Sequence, residues 1–108
     1  MSLALPGPVA AYFDAEKAAD AQALARCFAE DGVVRDEGGT FRGRADIERW
    51  NAEAREKYHH TVEAVSVVTR NGEIVVTGTV AGDFPGSPVN LEHAFRVQGD
   101  KIASLEIR

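Results

Sequence analysis

Three polar residues stand where the hydrophobic pattern of this chain calls for apolar ones: Tyr12, Asp36 and His93. Polar groups facing an apolar interior are costly unless paired, so they mark either a buried hydrogen-bond network or a working pocket. As a set they have the parts for proton abstraction next to a carbonyl. Asp36 would be the general base, and Tyr12 and His93 would donate hydrogen bonds to the oxygen as charge develops on it. An apolar wall would raise the aspartate pKa toward useful values. The same parts could instead activate a water for hydrolysis or hydration.

Periodicity brings the three together. In the run Val89 to Val97 the odd positions are Val, Leu, His, Phe and Val, and the even ones are Asn, Glu, Ala, Arg and Gln, so His93 faces the core side. Asp36 shares the inward side of its strand with Val34, and Tyr12 shares a helix face with Val9 and Phe13, away from Asp14, Glu16 and Lys17. If helices close over a curved sheet, the three converge on one cavity walled by Phe13, Phe28, Trp50, Leu91 and Phe95.

The elements that must position them follow from caps and turns. Val9 to about Ala19 reads as a helix, and Asp20 caps a second helix that ends at Glu30-Asp31-Gly32 with Gly32 as its C′ residue. Val33 to Glu37 reads as a short strand, and Gly38-Gly39 and Gly43 bracket a loop holding Phe41 and Arg42. A third helix runs from about Arg44 to Tyr58, with Ile47, Trp50, Asn51, Ala54 and Tyr58 on one stripe. Its charged face, which includes Glu53, Arg55 and Lys57, reads as solvated. From His60 onward the period becomes alternating. Thr61 to Arg70 and Glu73 to Phe84 are joined by Asn71-Gly72, a type I′ hairpin signal, and strands Val89 to Val97 and Lys101 to Ile107 follow. Gly78 and Gly82 interrupt the longest strand where bulges or strong curvature are common. The order is α+β, with helices on one face of a curved sheet.

Composition narrows the function classes. The 108 residues, 44% hydrophobic and 27% charged, suit one globular domain over residues 1–108. Seventeen acidic residues against 12 basic ones give a net charge of −5, which makes nucleic acid and anionic membranes poor partners. Cys27 is the sole cysteine and reads as a small buried thiol, with no intramolecular disulfide possible. The opening Met1-Ser2-Leu3-Ala4-Leu5 is too short for a signal segment, so the expected location is cytoplasmic.

The order of elements, with Tyr12, the segment Phe28-Ala29-Glu30-Asp31-Gly32-Val33-Val34-Arg35-Asp36 and the strand His93-Ala94-Phe95-Arg96-Val97, resembles the nuclear transport factor 2-like (NTF2-like) superfamily. More narrowly, it is similar to its SnoaL-like polyketide cyclases and ketosteroid isomerases. The resemblance implies a cone in which a strongly curved, mixed or antiparallel sheet carries three helices on its concave face around a pocket. Tyr12 then falls at the oxyanion tyrosine of the isomerases and Asp36 at their aspartate base. Aligning on Phe95-Arg96 puts His93 where the isomerases use a second carboxylic acid, and Asn51 where they can carry a supporting tyrosine. The implied activity is a cofactor-independent isomerase, cyclase or lyase acting on a small apolar carbonyl compound.

Plainer explanations stand beside these. Tyr12 could be a core tyrosine, Asp36 could close the Gly38-Gly39 turn, and His93 could be a core histidine bonded to a neighbour. The competing function is a binding or dimerisation module without chemistry, which a cavity below about 150 Å³ would favour. His59-His60 should point to different sides and form no metal site, with His60 available to line the cavity. The outer sheet face, with its Val and Thr residues, is expected to pair two copies into a homodimer.

Overall fold

A computed structural model describes residues 3–108, so Met1 and Ser2, part of the opening stretch read above, lie outside the described residues. The first helix, α1, spans Gly7–Lys17 behind Pro6, with a further proline in its first turn, where a missing N–H costs nothing. Ala19 turns left-handed at φ 56°, and the Asp20 side chain then accepts from Ala23 N at 3.0 Å to open α2, Ala21–Arg26. The tight joint between the first two helices is as expected.

The second helix is shorter than its sequence suggests. It ends at Arg26, and the strand β1 covers Phe28–Asp36 instead of beginning at Val33. Gly32 therefore lies within a strand whose pairing shifts register between Phe28 and Val33. A Cβ there would sit 3.0 Å from both Ala29 O and Phe28 Cβ, so it is close approach, not a helix stop, that requires glycine. The expected loop around Phe41 is also a strand, β2, Gly39–Arg42, joined to β1 by a turn with positive φ at Glu37 and Gly38.

Helix α3, Arg44–Tyr58, is followed by β3, Thr61–Arg70, and β4, Glu73–Ala81. The Asn71-Gly72 turn between these strands has the positive φ angles of the expected hairpin. Gly82 and Phe84, read as the end of that strand, lie beyond it. Strands β5, Val89–Gln98, and β6, Lys101–Ile107, complete one six-stranded sheet in the order β2-β1-β6-β5-β4-β3. Every neighbouring pair is antiparallel except β1 with β6. The sheet is mixed because β6 slots in beside the strand that follows the first two helices.

The helices cover one face of this sheet. Val9, Tyr12, Leu24, Phe28, Val34, Ile47, Val76, Phe95, Ile102 and Leu105 form the fully buried core. Cys27 belongs to it, with its thiol donating to Ala23 O at 3.4 Å and its pKa raised by burial. On the opposite face, Glu73 and Glu92 pair with Arg70, Arg96 and Arg108 around the buried Val75 and Ala94. Val65 and Val68, on β3, remain exposed. No helix is long and apolar enough to cross a membrane among the described residues.

Candidate functional site

Asp36 is the last residue of β1 and lies half-buried where the strand leaves the sheet. The α3 indole above it donates from Trp50 Nε1 to Asp36 Oδ2 at 3.2 Å. Burial pushes the Asp36 pKa upward and outweighs the opposing Trp50 bond. Trp50 was expected only as an apolar wall; its N–H is what holds the carboxylate in place.

A cavity of about 350 Å³ opens beside this pair. Of the ten residues expected at the site, Asp36, Trp50, His60, Leu91 and His93 line it. Tyr12, Phe13, Phe28, Asn51 and Phe95 do not; they lie behind it, packed edge-to-face around the Tyr12 ring or, for Asn51, bonded to α1. The volume is well above the 150 Å³ or so below which a non-catalytic module would be favoured, and falls among ordinary ligand pockets.

Strand pairing sets the spacing across the cavity floor. His93 is paired with Ile107 of β6, and Arg35 of β1 with Glu106, so the register carried one residue on sets Asp36 beside Ile107. Two strand spacings separate Asp36 from His93, roughly 10 Å, too far for a direct bond but suited to a molecule lying between them.

His93 is fully buried, and its Nδ1 lies 3.2 Å from Leu91 O. A carbonyl only accepts, so Nδ1 carries the proton. Burial lowers the His93 pKa from its ordinary 6.5, which keeps the ring neutral and makes Nε2 an acceptor. The expected role of His93 as a donor to substrate does not fit this tautomer. Gly78 makes room for the ring, since a Cβ there would come within 3.0 Å of His93 Cε1.

Tyr12 is the larger departure from expectation. Its hydroxyl is buried and is the one buried side-chain oxygen or nitrogen among the described residues without a hydrogen-bond partner. Burial first, then the carboxylates of Glu16 and Asp36, push its pKa well above the ordinary value. It is a core tyrosine behind the cavity wall, not a donor on it.

The residue the sequence reading passed over is Glu16. The pattern sets it away from the Tyr12 face, yet it is buried, one helical turn from Tyr12 on the same face of α1, and it lines the cavity. Its Oε1 accepts from Arg55 Nη2 at 3.1 Å and Asn51 Nδ2 at 3.3 Å, and lies 3.4 Å from His60 Nε2. Arg55 also bonds Asn51 Oδ1 and, at 3.3 Å, Glu16 O. Burial would raise the Glu16 pKa, but the His60 and Asn51 bonds and the Arg55 charge hold it below the usual carboxylate range. Arg55 thus reaches inward from a helix face expected to be solvated. The i, i+4 spacing of Tyr12 and Glu16 was the signal in the sequence.

The adjacent histidines divide as expected. His59, left-handed at φ 48°, faces solvent against Asp83, whereas the His60 side chain is only 11% exposed and turns inward. Gly82 packs over this junction, where a Cβ would meet Tyr58 O at 2.7 Å. Among the described residues, no three His, Cys, Asp or Glu side chains gather in a metal-binding group. Phe41, Tyr58 and Phe84 form an aromatic rim with Glu37, Glu53 and Lys57.

Comparison with known proteins matches these features. A family model described as the SnoaL-like domain matches residues 9–105. A crystal structure of a protein provisionally assigned as a polyketide cyclase, from Sinorhizobium meliloti, is 38% identical with a TM-score of 0.92, covering 96% of this chain and 95% of that one. A protein of ketosteroid isomerase-like fold from Catenulispora acidiphila, crystallised with trimethylamine, is 23% identical with a TM-score of 0.84, covering 97% and 86%. An NTF2-like protein from Cytophaga hutchinsonii is 11% identical with a TM-score of 0.78, covering 100% and 93%. No curated protein matches the chain. The fold is the NTF2-like cone.

Proposed function

The chain belongs to the SnoaL-like domain family, and on that footing we propose that it is a cofactor-independent enzyme whose general base is Asp36. Its substrate is a small, largely apolar carbonyl compound. The observation that carries the reading is the Asp36 carboxylate itself, raised in pKa by burial, gripped by the Trp50 N–H and set on the wall of a ligand-sized cavity. Leu91, Val62, Val80 and Ile107 make much of the remaining wall apolar. In such surroundings a carboxylate is poised to take a proton from carbon next to a carbonyl, and an isomerase, cyclase or lyase can all be built on that step.

Exchange of α-protons tests the proposal without knowledge of the natural substrate. Small cyclic ketones incubated with the protein in D2O should lose their α-proton signals by NMR, and Asp36→Asn should slow this by roughly 10²-fold or more. The rate should climb with pH through the raised Asp36 pKa, since only the ionised carboxylate accepts a proton. Stability should move the opposite way. The stabilising protonated form is present below the ordinary 3.8 and lost as pH rises through the folded-state pKa, so Asp36→Asn is expected to melt higher than the parent at pH 7. An Asp36→Asn protein that exchanges ketone protons at the parent rate would remove the base from the mechanism.

We further propose that two copies pair through the outer sheet face, where Val65 and Val68 are exposed. Light scattering at micromolar concentration should give twice the 11.6 kDa chain mass; a monomer would count against it.

A further inference from the structure

An enolate forming at Asp36 needs a partner for its oxygen, and neither Tyr12 nor His93 is arranged to supply one. His60 is. It precedes β3 and lines the same cavity as Asp36, and its Nε2 lies 3.4 Å from the buried Glu16 Oε1. An ionised carboxylate oxygen only accepts, so Nε2 is the donor in this pair and Nδ1 is the ring nitrogen left for a partner in the cavity. Among the described residues no hydrogen bond forms at Nδ1, and it is not one of the buried atoms left without a partner, so it keeps some exposed surface on a residue that lines the cavity. Asp36, Glu16 and His60 line the same cavity, so the ring shares one space with both carboxylates.

Holding the dyad takes several parts of the chain. Arg55 and Asn51 of α3 fix Glu16 from the other side, and Gly82 allows the chain beyond β4 to close over His60. A carboxylate, itself anchored, that sets the tautomer of a histidine is the arrangement by which proteins orient proton-transfer imidazoles.

We propose that Glu16 and His60 form a second proton-transfer unit facing Asp36, with His60 as the catalytic acid and Glu16 as its positioning residue. The inference rests on Asp36 being the base. In the forward step an Asp36 carboxylate oxygen takes the α-proton, the C–H electron pair becomes the new C=C bond, and the carbonyl π pair moves to oxygen. His60 Nδ1–H then donates its proton to that oxygen, giving a neutral enol, a protonated Asp36 and a neutral His60. Reversal, with Asp36 returning its proton to the same or another carbon, restores both groups. The substrate class is thereby narrowed to carbonyl compounds small enough for the α-carbon to meet Asp36 while the oxygen meets His60.

Two measurements test this. In 15N-labelled protein, long-range 1H–15N correlation should find neutral His60 as the Nε2–H tautomer, and Glu16→Gln should mix the tautomers. A neutral ring found with its proton on Nδ1 in the parent protein would overturn the inference, and this reading needs no substrate. In the ketone exchange assay, His60→Gln should slow α-proton loss by about 10²-fold. Exchange abolished by Asp36→Asn but untouched by His60→Gln would overturn the dyad and leave the Asp36 reading intact. A parent protein that exchanges no ketone would sink both.

Discussion

Glu16→Ala is expected to cost about 3–5 kcal/mol of folding stability at pH 7, read as a lowered urea midpoint with an unchanged m-value. The carboxylate is buried and receives Arg55 and Asn51 on a single oxygen, with His60 beside the same atom. Removing it leaves the partly buried Arg55 guanidinium without its counter-charge, which is the costly way to break a buried pair. The pH dependence follows from the lowered Glu16 pKa. Its contribution is present above the ordinary 4.5 and is lost as pH falls through the lower folded-state value, so parent and variant should converge in acid. A loss below about 1 kcal/mol at pH 7 would show that the cluster is no better than an exposed ion pair.

Tyr12→Phe should move stability the other way, by about 1–3 kcal/mol in favour of the variant. The Tyr12 ring packs edge-to-face against Phe13, Phe28 and Phe95, and phenylalanine retains every one of these contacts. Only the hydroxyl is lost, and it is buried without a partner, so its desolvation is uncompensated in the native state. The variant is also expected to keep the ketone exchange rate within severalfold of the parent, because the hydroxyl does not line the cavity. A destabilised Tyr12→Phe protein would mean that the hydroxyl is bonded after all, and one that lost exchange would return Tyr12 to the mechanism.

These two residues also show what the sequence could and could not reveal. Alternation at period two correctly set Leu91, His93 and Phe95 on the inner face, because a sheet covered on that side by helices admits only one register. The helical period likewise found Tyr12, Trp50 and Asn51 buried. It could not separate facing the core from facing the cavity. That distinction depends on how far each helix stands off the sheet, which is why five of the ten expected residues lie behind the wall. Charge misled more than period did. Glu16 reads as lying off the inward face and Arg55 as solvated because each alone is costly to bury, and only their pairing across 39 positions makes burial tolerable. Glu30-Asp31-Gly32 has the composition of a helix end but forms part of β1 because its backbone is claimed by neighbours. Gly43 N, for example, donates to Gly32 O at 2.8 Å. Trp50 was placed on the correct face and still misread, since hydrophobic patterning ignores where an indole N–H ends up.

The place of β6 between β1 and β5 has a consequence for when the protein becomes competent. Without Lys101–Ile107 the sheet is two unconnected pieces, a β1-β2 hairpin holding Asp36 and a β3-β4-β5 meander holding His93. Ribosomes deliver β6 after both, so the floor of the cavity cannot close until this strand has been inserted between strands made earlier. Closing so long a loop is slow compared with forming hairpins. Asp36 and His93 therefore come into register together, late, and the two walls they stand on are joined only once β6 is in place.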